Sequence, residues 1–282
     1  MKIQTQKLFA QDEQGLWDVC CSGYFHRVGE DTDFWFSHKN CLCRSTWGNP
    51  NLHKYLVKDT RIPVPSKWCP VFVQGKTFLS LHPNLVVDMN NRSFLTDIST
   101  AFSENISQQT PGEMHLEEDD FHFDNYRISH YGPWGYRCFR NDILQWEFRG
   151  YAYLYTDIVR YRNCICFGTG GQGGYFYVID LHTGETKIAL RTGGTKSFII
   201  EDHRCYVLSK FPKSRLVVWD MDTYETIEEF PLVGTVNIES SLAKFSREIN
   251  CTTFQYRRDG TLKNCIWTQI LCDDCKAEVS SP

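Results

Sequence analysis

No stretch of this 282-residue chain approaches the length of a membrane-spanning helix, which takes about 18 consecutive apolar residues. No transmembrane helix is therefore expected. The segment from Met1 to Ala10 lacks a continuous apolar core, so it does not read as a secretory signal, and a cytoplasmic location is the expectation. A basic surplus is missing as well. With 30 Lys and Arg against 34 Asp and Glu the formal charge is -4, which argues against a nucleic-acid partner, since such binding needs a basic face to displace counterions. The marks of common catalytic sites are also wanting. There is no Gly-x-Ser-x-Gly, no Ser/His/Asp or Cys/His triad signature, and the nine histidines are scattered. The reading therefore assigns no catalytic residue, no metal and no cofactor.

What is present points to β structure. Aromatic residues make up 15% of the chain, and rings and β-branched side chains suit a pleated, half-buried surface. Cysteine is abundant. Thirteen is an odd number, so the set cannot pair completely within one chain, and without a leader most read as free, buried thiols that pack as small apolar groups. The alternation Cys164-Ile-Cys166 fits that reading. Cys272-Asp-Asp-Cys275 has the spacing of half a zinc site, but no second Cys-x-x-Cys completes it. Metal binding or a disulfide at that pair stays open.

The organising feature is a repeat. Phe176-Tyr-Val-Ile-Asp180-Leu-His-Thr183-Gly-Glu185-Thr186 and Leu216-Val-Val-Trp-Asp220-Met-Asp-Thr223-Tyr-Glu225-Thr226 align, with Asp, Thr, Glu and Thr each 40 residues apart. Each copy is an apolar run, an Asp-x-x-Thr turn and a second strand-like run. A repeat of roughly 40–45 residues built of short strands marks a propeller blade. Further hairpin turns are expected near Lys39, Asn90, Asn141 and Asp259, where Asp259-Gly260 supplies a strong hairpin signal. Six turns predict an all-β chain, a single β-propeller over residues 1–282 with six blades. Five or seven blades stay open. Closure would pair the N-terminal strand, near Gln4 to Ala10, with the last blade.

The stretch from Trp146-Glu-Phe148 through Cys164-Ile-Cys166-Phe-Gly168-Thr-Gly-Gly-Gln-Gly-Gly174 to Asp180-Leu-His-Thr183-Gly184-Glu185 resembles blades of the quinoprotein-like, WD40-like β-propellers. The resemblance implies the fold. The tryptophan that docks the next strand after Thr-Gly-Glu is absent, since Thr186-Lys-Ile-Ala189 follows, and no cofactor ligand carries across. The glycine-rich Gly168–Gly174 lacks the Gly-Lys-Ser/Thr of a phosphate loop and is expected to be a structural turn.

One segment stands outside the repeat. Residues 102–130 are expected to form an insertion, acidic at Glu117, Glu118, Asp119 and Asp120 and aromatic at Phe121, Phe123 and Tyr126. Such a loop suits a basic protein partner, with rings as anchors and carboxylates steering the encounter. The leading expectation is a non-catalytic protein-binding propeller, in its sharper form a bacterial immunity protein that neutralises a cognate toxin. The alternatives are an enzyme or sugar-binding propeller using a central funnel, and a scaffold subunit.

Overall fold

The computed structural model describes residues 2–9, 23–38, 41–49, 52–56, 70–73, 76–82, 85–95, 120–130, 135–150, 154, 156–170, 173–194 and 197–272. Among these residues every regular element is a β-strand and there is no helix. No described helix is long and apolar enough to cross a membrane. The strands form six four-stranded sheets. Five follow chain order. They are β2 (Gly23–Val28) to β5 (Leu52–Leu56), by way of β3 (Asp31–His38) and β4 (Cys41–Thr46); β6 (Pro70–Val73), β7 (Lys76–His82), β8 (Leu85–Asp88) and β9 (Ser93–Leu95); β10 (Phe121–Phe123), β11 (Tyr126–His130), β12 (Gly135–Arg140) and β13 (Ile143–Arg149); β14 (Val159–Tyr161), β15 (Cys164–Gly168), β16 (Tyr175–Asp180) and β17 (Thr186–Arg191); and β18 (Phe198–Glu201), β19 (Arg204–Ser209), β20 (Arg215–Asp220) and β21 (Thr226–Pro231). The sixth has the order β1 (Lys2–Phe9), β24 (Leu262–Leu271), β23 (Glu248–Tyr256), β22 (Leu242–Phe245).

The chain divides into two compact units. Unit 1 comprises residues 1–114, 245–250 and 255–282, and unit 2 comprises residues 115–244 and 251–254. In unit 1 the N-terminal strand pairs with the last one as expected, antiparallel, from Lys2 opposite Leu271 to Lys7 opposite Ile266. The sheet β2–β5 has two unlike faces because Asp31-Thr-Asp33-Phe-Trp35-Phe36 alternates along β3. Phe25, Phe34 and Phe36 share one face, where the Phe25 ring lies 4.6 Å from Phe34 and 5.3 Å from Trp267. His26, Asp33, Thr46, Arg44 and Trp35 share the other. Arg92, from the turn after β8, reaches across to that second face. It donates to Asp33 at 2.8 Å and to Asp31 at 2.9 Å.

Unit 2 shows why its middle strands read as unbroken apolar runs. Both faces of β15, β16, β19 and β20 are covered, so nearly every residue in them is buried. The outer strands β13, β17 and β21 are largely exposed. Cys43, Cys138, Cys164, Cys166, Cys205, Cys251 and Cys265 are buried on second and third strands. There they act as compact apolar spacers.

The repeated turn has a local cause. The Asp180 carboxylate accepts from the backbone N–H of His182 and Thr183 at 2.9 and 2.8 Å, and Asp220 does the same for Asp222 and Thr223. A third copy stands at Asp88, whose carboxylate accepts from the N–H of Asn90 and Asn91. These are side-chain-capped turns, which Asp forms because its short carboxylate reaches its own backbone two residues on.

The expected turn at Lys39 lies outside the described residues, between the paired strands β3 and β4; the other five join paired strands, but they are not equivalent. Those near Asn90, Asn141, Thr183 and Thr223 connect the third and fourth strands of a sheet, whereas that near Asp259 connects the second and third. Third strands end at Thr46, Asp88, Arg140, Asp180 and Asp220, that is 42, 52, 40 and 40 residues apart. The spacing is therefore more even than turn signals suggest, and the one long interval contains residues 102–119.

Candidate functional site

The expected contact segment is only partly a loop. Glu117, Glu118 and Asp119 lie outside the described residues, while residues 120–130 form the first hairpin of the sheet β10–β13. Its two-residue turn places Asp124 at φ 52°. Asp120 is tied inward, accepting from the Ser129 hydroxyl and from Arg127 at 2.9 Å. Partial burial raises its pKa, but these two bonds outweigh that and hold the carboxyl below its ordinary range. Phe121 and Phe123 are half-buried against the cluster of Ile128, Trp146, Phe167 and Ile179. Tyr126 belongs to that cluster, 5% exposed, with its hydroxyl on His182 Nδ1. Of the described residues expected to meet a partner, these four help to hold unit 2 together.

What faces water lies one turn away. Asn141 N–H donates to the Asn125 carbonyl at 3.0 Å, which sets the turn after β12 beside the turn after β10. Asp142, whose side chain is 88% exposed, is 3.5 Å from Arg127. Ile143 follows at 67% exposure and Leu144 at 47%, the first being the most exposed large apolar side chain among the described residues. On this outer strand neither of the two residues, which point to opposite faces, is covered. The sequence signal was the Asn141-Asp142 turn running straight into Ile-Leu.

The same end of unit 2 continues through neighbouring sheets. Asp124 pairs with Arg160, Arg162 pairs with Asp222, and the Tyr161 hydroxyl donates to the Asp202 carbonyl at 2.7 Å. Leu181 N–H donates to Asn163 and Met221 N–H to His203, each at 2.7 Å, repeating the Asn141–Asn125 bond. The result is a row of turns rich in aspartate. Unit 2 contains 18 Asp and Glu against 14 Lys and Arg, whereas unit 1 contains 16 of each, so unit 2 holds the whole net charge of -4.

The glycine-rich turns spend their backbone donors internally. Gly168 N–H goes to Thr156 Oγ1, Thr169 N–H to the Tyr175 carbonyl, Gly193 N–H to the Gly174 carbonyl and Gly194 N–H to Thr192 Oγ1. None of these four is left to cradle a phosphate. Gly174 is required by close approach, since a Cβ there would lie 2.5 Å from Gly194 N and from the Thr169 carbonyl. The buried thiols are inert by the same logic. Burial pushes Cys138 and Cys251 up to about 12 and raises Cys205 well above its usual value, so the thiolate is suppressed. Cys272 is half-buried after β24, and Cys275 lies outside the described residues. No group of three or more His, Cys, Asp or Glu among the described residues is disposed to hold a metal ion.

In unit 1 an open groove of about 720 Å³ runs along β1, lined by Gln4, Thr5, Gln6, Lys7, Trp47 and Gly48. The Gln6 amide is engaged there. It donates to the Thr46 and Asn49 carbonyls and accepts from Gly48 N–H at 2.8 Å, fastening the β4–β5 turn to β1.

No protein-family model matches the chain, and no characterised protein aligns with it significantly. Several solved structures are similar in shape over long stretches. The AfRom2 CNH domain aligns over 96% of this chain and 100% of its own, at 10% identity and a TM-score of 0.42. BamB from Moraxella catarrhalis aligns over 94% of this chain and 75% of its own, at 10% identity and a TM-score of 0.35. A computationally designed protein, Ika4, aligns over 56% of this chain and 96% of its own, at 14% identity and a TM-score of 0.35. Likenesses at this level carry no argument about what the chain does.

Proposed function

We propose that the chain is a six-bladed, WD40-like β-propeller that acts as a non-catalytic protein-binding module in the cytoplasm, an immunity-type protein that occupies a basic surface on a toxin. Support for the propeller comes from six four-stranded sheets, five in chain order, and from the pairing of β1 with β24 that would fasten such a ring. The observation that carries the binding reading is the exposed Ile143–Leu144 pair beside Asp124 and Asp142, in the unit that holds the net negative charge. Apolar side chains left in water beside carboxylates supply anchor area, and the carboxylates speed encounter with a basic partner.

The test is capture from a lysate of the source organism, read by mass spectrometry, with two variants of the bait. Ile143→Ser with Leu144→Ser removes the apolar pair. Glu117→Ser, Glu118→Ser and Asp119→Ser remove the acidic run while sparing Asp120, whose bonds to Arg127 and Ser129 are structural. Loss of one basic partner from the first variant, with thermal stability within about 0.5 kcal/mol of the parent, is the expected result for exposed positions. Undiminished capture by both variants would remove this face from the reading. A partner that is instead turned over chemically would replace binding with catalysis.

A further inference from the structure

We propose that His26 is a proton-operated latch within unit 1: on taking up a proton it unbalances the buried charge set that ties the sheet β2–β5 to the sheet β6–β9.

His26 is 8% exposed on β2, directly opposite Asp33 on β3, and its Nε2 has no hydrogen-bond partner among the described residues. The charged groups that face it come from three directions. They are Asp33 on β3, Asp88 at the end of β8, and Arg92 in the turn that follows. Behind Asp33 stands Arg44 on β4, 3.4 Å away, and Asp31 holds the far side of Arg92. Both carboxylates nearest the imidazole are already occupied. Asp33 accepts from Thr46 Oγ1 at 2.6 Å, from Arg92 at 2.8 and 3.2 Å, and from Arg44. Asp88 accepts from the N–H groups of Asn90 and Asn91 and from the Asn91 amide. A carboxylate offers about four acceptor positions, so Asp33 has none to spare. An imidazolium here stays unpaired in a buried site, takes the one acceptor position left on Asp88, or displaces Arg92 from Asp33, and Arg92 is a side chain that joins the two sheets.

Burial pushes the His26 pKa down, against the pull of Asp33 and Asp88 and with the push of Arg92. An unfolded histidine titrates near 6.5. Between that value and the lower folded one, the unfolded chain binds one proton more than the folded chain. Stability is therefore complete above about pH 6.5, falls as pH drops through this window, and falls no further on this account below it. One proton corresponds to at most about a tenfold loss in the folding equilibrium constant per pH unit.

The experiment is urea unfolding of the full chain at intervals from pH 7.5 to 5.0, with His26→Gln beside the parent, together with NMR titration of the His26 ring in the parent. The parent is expected to lose stability more steeply than His26→Gln below pH 6.5, and the ring resonance is expected to titrate below 6.5. Equal steepness in the two proteins, or a ring that titrates at or above 6.5, overturns the latch. Should His26→Gln fail to fold, the ring titration decides alone.

Discussion

Replacing Asp33 with asparagine keeps the shape of a fully buried side chain and deletes its charge. Asp33 is 0% exposed and serves two guanidinium groups at once, Arg92 at 2.8 Å and Arg44 at 3.4 Å, besides the Thr46 hydroxyl at 2.6 Å. The substitution turns one acceptor oxygen into a donor that faces arginines. It strands Arg44, itself only 7% exposed, without its anion. Breaking a buried ion pair from one side costs about 3–5 kcal/mol, most of it the price of leaving the surviving charge unpaired in a dry site. Arg92 is 28% exposed at its side chain and recovers part of its share from water, which places the expected loss at the lower end, about 3 kcal/mol. For a unit of this size each kcal/mol moves the midpoint by about 2–4 °C, so Asp33→Asn should melt about 6–12 °C below the parent. Far-UV circular dichroism against temperature measures it, and urea unfolding should show a lower midpoint with an unchanged slope. Arg92→Ala should cost less than Asp33→Asn, because it leaves Asp33 with Arg44 and Thr46. A melting point for Asp33→Asn within about 2 °C of the parent, or a larger loss from Arg92→Ala, would refute the claim that this carboxylate holds the two sheets together.

Two further outcomes follow from positions with no room to adjust. Gly174→Ala should destabilise unit 2 by about 1–3 kcal/mol, because the new methyl would meet Gly194 N and the Thr169 carbonyl at 2.5 Å and backbone must move; chemical denaturation of the two proteins checks it. Native alkylation by iodoacetamide at pH 8, read by peptide mass spectrometry, should leave Cys138, Cys166, Cys205, Cys251 and Cys265 unmodified, since burial raises each thiol far above that pH. Rapid modification of any of these five in the folded protein would contradict the packing.

Much of the local structure could be read from the chain because its causes are local. The Asp180 and Asp220 turns arise from a carboxylate bonding its own backbone two and three residues on, so the motif and the structure are the same short segment. The unbroken apolar runs at β16 and β20 declared strands, and the structure shows them buried along nearly their whole length. The role of each hairpin was not legible. The turns at Asp259 and Asp220 each rest on an Asp accepting from the backbone N–H two residues on, and only the sheet order shows that they join different strands. The packing of the aromatic stretch was not legible for a related reason. Phe121, Phe123 and Tyr126 alternate with polar residues as a half-buried strand does, and the inward direction of that alternation is fixed by Ile128, Trp146 and Phe167 from other strands.

The sequence by itself determined that the described elements are short β-strands, that turns recur at about 40 residues, and that cysteines such as Cys164 and Cys166 are packing groups, because each follows from side chains acting on their own neighbourhood. Tertiary structure alone decided which carboxylates are spent and which are offered. Asp33 and Arg92 are 59 residues apart, Asp124 and Arg160 are 36 apart, and nothing in either segment announces its partner. Whether an aspartate is a buried strut or a charge presented to water depends on what the fold brings within about 3 Å of it, a distance set by the folded chain rather than by residue spacing.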